Sequence, residues 1–139
     1  MNLTQILNYI QQKLNEDPRV HDASIDDVYS HWNTTNSGMQ YPSAVVDFMN
    51  SNYNADYVDY QFVIYVGSVI NEKQNNIYPL ISVADSIIQQ MLHKIDVEEN
   101  NMNLVIPNII TPFQQKFQDV LCGAYCTFTL RISADIICE

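Results

Sequence analysis

Three cysteines, Cys122, Cys126 and Cys138, lie near the end of the chain, and three histidines, His21, His31 and His93, are scattered before them. Thiols and imidazoles together suggest two chemistries, a tetrahedral zinc site or a thiolate nucleophile activated by a base. The spacing supports neither. Structural zinc sites are built from paired short spacings, whereas here Cys122-x3-Cys126 stands alone and the histidines keep no ligand interval. Cys126 falls on the same face of an alternating run as Phe128 and Leu130, where a cysteine behaves as a small hydrophobe. Cys122 precedes Gly123, but no glycine-rich elbow and no partnered histidine accompany it. Reduced thiols in a cytosolic setting are therefore expected.

The carboxylates say little more. Asp26-Asp27 and Glu98-Glu99 are adjacent in sequence, while a hydrolytic pair must oppose its members across a cleft. Both pairs are expected to be solvated loop charge. The same holds for Asp56 and Asp59, although these are also placed to meet a base on a neighbouring subunit. With only Gly38, Gly67 and Gly123 in the chain, neither a dinucleotide fingerprint nor a phosphate-binding loop can be built. The expectation is a protein that is not an enzyme, with no catalytic, metal-binding or cofactor-binding residues.

Composition narrows the field further. The 139 residues are 47% hydrophobic, enough for one globular domain over 1–139 with its own core. Sixteen acidic residues against six basic ones give a net charge of -10. That balance disfavours binding to nucleic acid or to an anionic membrane, though it suits a wall past which DNA must slide without sticking. The basic residues are not clustered. No apolar run approaches the length that spans a bilayer, and the N-terminus has no signal-peptide pattern.

The elements follow from periodicity. Leu3, Ile6, Leu7, Ile10 and Leu14 predict a helix over 3–15, ended by Asp17-Pro18. Residues 20–32 fit neither period and are read as a short strand or irregular segment. Residues 33–38 form a loop. Strands are predicted over 42–50 and 57–70, joined through 51–56 as an antiparallel hairpin. A polar loop over 71–76 precedes a second helix opened by Pro79, with Leu80, Ala84, Ile87, Ile88, Met91 and Ile95 on its buried stripe. An acidic loop covers 96–103. Leu104–Ile110, interrupted by Pro107, reads as an edge strand. A linker from Thr111 then leads to a strand beginning near Ala124. The sum is a two-layer α+β domain, an antiparallel sheet with two helices packed on one face.

Alternation on the last strand separates Ala124, Cys126, Phe128, Leu130 and Ile132 from Tyr125, Thr127, Thr129 and Arg131. Tyr57 and Tyr65, with Val63, take the corresponding polar face of the hairpin. A tyrosine row on a sheet is either ordinary cross-strand packing or an interface anchor. Tyr57, Tyr65, Tyr125 and Arg131 are the candidate subunit-interface residues.

Three segments carry a resemblance. Gln40-Tyr41-Pro42-Ser43-Ala44-Val45-Val46 runs from an aromatic-proline step into an apolar strand. Gln61-Phe62-Val63-Ile64-Tyr65-Val66 precedes a polar loop and a long helix. Pro112-Phe113-x3-Phe117-x5-Gly123, with Phe117-Gln118-Asp119 inside it, leads to the last strand. In these features, and in the order of its elements, the chain resembles the tail-terminator and neck (head-to-tail joining) proteins of tailed bacteriophages. The resemblance spans most of 1–135 and departs over 20–32. It implies a virion structural protein assembled in the host bacterial cytoplasm. The implied form is a homo-oligomeric ring, often a hexamer, around the DNA channel. Its implied partners are the other neck, portal and tail proteins. Loop 33–40 or loop 71–78 is expected to face an adjoining ring, because polar loops tolerate ordering on assembly. The alternative is a soluble cytosolic α+β binding or adaptor module, with its pocket between helix 79–95 and the sheet.

Overall fold

The long C-terminal strand is the spine of the molecule. In a computed structural model that describes residues 2–33, 40–70, 77–98, 102–116 and 120–133, the chain runs α1 (Leu3–Asn15), β1 (Asp22–Ile25), α2 (Val28–Trp32), β2 (Ser43–Tyr53), β3 (Tyr57–Val69), α3 (Ile77–Glu98), β4 (Met102–Leu104), β5 (Ile110–Lys116) and β6 (Val120–Ser133). The sheet order is β1-β2-β3-β6-β4, with β5 also on β6. All pairings are antiparallel except β1 with β2, so the sheet is mixed. The fold is α+β, as the periodicity predicts.

One face of the sheet carries the main core. Phe62 and Phe128 stack with centroids 5.6 Å apart, and Phe48 packs edge-on to Phe62 at 5.8 Å. Over them lie Ile87, Ile88, Met91 and Ile95 of α3 and Ile6, Ile10 and Leu14 of α1, all buried. The α1 N-terminus is closed by a reciprocal cap. Asn2 Oδ1 accepts from the Gln5 N–H at 2.9 Å, and Gln5 Oε1 accepts from the Asn2 N–H at 2.8 Å. Beyond its C-terminus, the buried Asp17 carboxylate takes two bonds from Arg19, whose guanidinium also donates to Ser86 Oγ on α3.

Several expectations need correction. Residues 20–32 hold both a strand and a helix. Asp27 caps α2 by accepting from the Tyr29 N–H at 2.8 Å, and Val28 and Trp32, four apart, are buried on one side. The second long helix begins at Ile77, so Pro79 sits inside its first turn, where its missing N–H has no intrahelical acceptor to lose. That helix also absorbs Asp96 to Glu98, and Met102 to Leu104 is strand, which leaves little of the acidic loop. Leu104–Ile110 is not one strand: pairing on β6 breaks after Leu104 and resumes at Ile110. The Thr111 linker is itself β5, a hairpin partner of β6, which starts at Val120 rather than Ala124. Gly123 lies inside β6, opposite Gly67, and is required there for space. The loop residues 34–39 and 71–76, as well as Phe117 and Cys138, lie outside the described residues.

Candidate interface on the open face of the sheet

Among the described residues, the second face of the sheet is covered at one end only. There α2 lays Trp32 across the strands, where it is 1% exposed. Trp32 stacks on Phe113 at 5.8 Å and meets Tyr65 edge-on at 6.2 Å; Val28, Val45, Leu121 and Tyr41 complete this small core. Gly67 makes the approach possible, because a Cβ there would stand 3.0 Å from Trp32 Cη2 and 3.2 Å from Phe113 Cζ.

A polar chain pins α2 from the side. The Trp32 indole Nε1–H donates to Ser43 Oγ at 3.0 Å, and Ser43 Oγ donates to Asp22 Oδ2 at 2.8 Å. His31 Nε2 lies 2.8 Å from the same Asp22 oxygen. Serine, histidine and aspartate thus meet, but not as a nucleophile relay. Both Ser43 and His31 are bonded to the carboxylate, and Ser43 is fully buried. The arrangement ties β1, α2 and β2 together. Its signals in sequence were Asp27 as a cap and the Val28–Trp32 interval.

The four candidate interface residues divide into two pairs. Tyr65 and Tyr125 are direct cross-strand partners with rings stacked at 5.3 Å and 22°. Tyr65 also meets Phe113 edge-on at 5.9 Å, and burial pushes its hydroxyl pKa up. Tyr65 therefore belongs to the Trp32 core, with Tyr125 at its margin. Tyr57 and Arg131 stand toward the far end, uncovered among the described residues, about 27 Å and about 20 Å along the strands from the Tyr65–Tyr125 pair. Arg131 Cζ lies 3.9 Å from the Tyr57 ring centroid. Its Nε and Nη2 donate to Asp59 Oδ1 and Oδ2 at 2.8 and 3.0 Å, a bidentate pair within the chain. Asp59 thus already has a basic partner in its own subunit.

Two concavities border this face. One, of about 420 Å³, lies between α2 and β2 and is lined by Asp26, Asp27, Asp47, Met49 and Tyr65. Asp47 is held above the usual carboxylate range, first by burial and then by Asp27 and Asp26. The other, of about 480 Å³, runs between Thr127 and Thr129 on β6 and the segment Val105–Ile109, whose Ile106 and Ile109 are 75% and 77% exposed.

Neither concavity brings a nucleophile to a base. Cys122 and Cys126 are buried on the other face, and desolvation pushes the Cys126 thiol to about 11, so it stays protonated at neutral pH. Among the described residues, no three His, Cys, Asp or Glu side chains come together as metal ligands, and no helix is long and apolar enough to cross a membrane.

No protein-family model and no curated protein matches the sequence. The segments that carry the phage resemblance nevertheless meet in space. Tyr41 before β2, Tyr65 on β3 and Phe113 on β5 all pack in the small core around Trp32, with Gly123 paired to Gly67 beneath them.

Proposed function

We propose that this chain is a ring-forming structural protein of a tailed bacteriophage, in the neck or tail-terminator position between the head connector and the tail. The observation that carries the reading is the convergence of the three resemblance segments on one packing unit around Trp32. The described surface offers aromatic and backbone contacts rather than reactive groups, which suits assembly. The space between α3 and the sheet, where a carrier would hold a ligand, is filled by Phe62, Phe128, Ile87 and Met91.

In this reading the interface uses Tyr57, Arg131 and Tyr125, while Tyr65 holds the Tyr125 ring in place. The ring, a hexamer by resemblance, closes around the DNA channel, and the acidic balance keeps the wall from adhering to DNA. Native mass spectrometry of the purified chain, with and without purified connector or tail-tube protein, is the test. A closed oligomer, formed alone or on that partner, is expected. A strict monomer that is also missing from purified virions would sink the proposal.

A further inference from the structure

Among the described residues, the sheet has two free stretches of edge, and they lie at the same height. On one side β1 pairs with β2 only over Ser43–Val46, so among the described residues no strand covers β2 from Asp47 to Tyr53. On the other side β4 and β5 form the edge. The β5 edge is guarded: alternation from its register with β6 turns the backbone of Pro112 outward, and proline has no N–H to offer. The β4 stretch carries no such guard.

Alternation also says which groups point out. Asn54 and Tyr57 exchange both backbone hydrogen bonds, at 2.8 and 3.1 Å, so Asn52 and Asn50 also face β3, while Ser51 and Tyr53 turn their N–H and C=O groups away from the sheet. On β4, the Val105 N–H donates to the Thr129 carbonyl at 3.0 Å, so Asn103 faces β6 as Val105 does, and Met102 and Leu104 face outward.

The antiparallel register from β2 through β3 and β6 to β4 matches these two edges in row, face and direction. Ser51, Tyr60, Leu130 and Leu104 form one row across the sheet, and Tyr53, Val58, Ile132 and Met102 form the next. Both outward-facing sets have their side chains on the same, helix-covered face of the sheet. Finally, β2 and β4 run in opposite directions, since three antiparallel pairings separate them. A second copy related by rotation about an axis along the strands therefore brings its β4 antiparallel to β2, same face up, with no step along the axis. A contact between different patches closes into a ring only when such a step is absent.

We propose that copies of this chain join edge to edge, the Ser51–Tyr53 edge of one subunit pairing antiparallel with the Met102–Leu104 edge of the next, Ser51 opposite Leu104. This rests on the ring-forming reading above and names its joint. The same register carries Ile106 toward the Met49 end of the neighbouring edge, and Met49 is 50% exposed. The open-face row between the two joined rows holds Asp59 and Arg131. The joint thus lies level with the Tyr57–Arg131 end of the candidate interface.

The test compares the full chain with two variants by native mass spectrometry and circular dichroism. Ser51→Pro removes an N–H that no described strand of its own chain uses, so the expected product is a folded monomer where the parent forms a closed oligomer. Ser51→Cys combined with Leu104→Cys, in a Cys138→Ser background, should give a ladder of disulfide-linked subunits under diamide, and neither single cysteine should. If Ser51→Pro fails to fold, the ladder alone decides. A parent oligomer with no ladder, or one that Ser51→Pro leaves at the same mass, overturns the edge joint while leaving the ring reading in place. A parent chain that is monomeric at every concentration, alone and with its partner, overturns the ring reading itself.

Discussion

Gly67 and Gly123 face each other across β3 and β6, directly beneath Trp32 and Phe113. The pair thins the sheet where α2 must come closest. The two glycines are not equivalent. A methyl group on Gly67 would press on ring edges that can shift slightly, whereas one on Gly123 would run into the Val66 carbonyl oxygen and stand 2.9 Å from the Gly67 Cα. Gly67→Ala should cost about 1–3 kcal/mol through overpacking. Gly123→Ala should cost more, since backbone must move. Urea unfolding followed by the fluorescence of Trp32, the one tryptophan, separates the two.

Tyr65 and Tyr125 stack as a pair but should fail differently. Tyr65→Ala opens a hole beside Trp32 and Phe113 and should lower stability by about 2–4 kcal/mol. Tyr125→Ala, at the margin of that cluster, should cost about 1 kcal/mol and weaken assembly instead. Denaturant midpoints and native mass spectra of the two variants check this. Equal losses of stability would place both rings in ordinary packing.

Acid should loosen the α1–α3 side first. Hydrogen bonds from Arg19 hold the buried Asp17 carboxyl below its ordinary pKa. A lowered carboxylate contributes stability that is present above its unfolded pKa and is lost as pH falls through the folded one. Asp17→Asn should therefore destabilise the protein at neutral pH and flatten its loss of stability below about pH 4. Thermal melts from pH 7 to pH 3 measure both effects.

Asp47 should behave in the opposite sense. Its carboxyl pKa is raised, by burial first and by Asp27 and Asp26 next, so ionisation opposes folding above that value. Asp47→Asn keeps an oxygen for the Phe48 N–H, which Asp47 now accepts at 2.8 Å. The variant should gain about 0.5 kcal/mol at pH 7, and the gain should vanish once the parent carboxyl is protonated. A difference that is independent of pH would refute this assignment.

The parts of the fold that rest on repeated burial were legible. The α1 stripe, the β2–β3 hairpin, the α3 stripe and the even face of β6 each repeat one spacing over three or more turns or pleats, and the structure keeps them. Short elements were not legible. Five residues of α2 hold a single buried interval, Val28 to Trp32, which a window tuned to longer helices misses. The β5 strand was hidden by Pro112, which reads as a breaker but sits on an edge with its nitrogen turned outward. The parallel β1–β2 pairing involves four residues and leaves no local trace at all. Alternation put Tyr57, Tyr65, Tyr125 and Arg131 on the sheet face opposite the main core, and their register agrees. It held no sign that α2 covers one end of that face, where Tyr65 is half-buried against Trp32.

The β3–β6 pairing also governs the order of events during synthesis. Residues 57–69 wait for partners at 121–133, so the centre of the sheet stays incomplete until those later residues have left the ribosome. Until then the β2–β3 hairpin leaves its β3 margin unpaired, and a two-stranded hairpin is marginally stable in water. Crowded nascent chains are thus most vulnerable to mispairing just before β6 arrives. Its arrival fills the β3 margin and buries the aromatic row in one step.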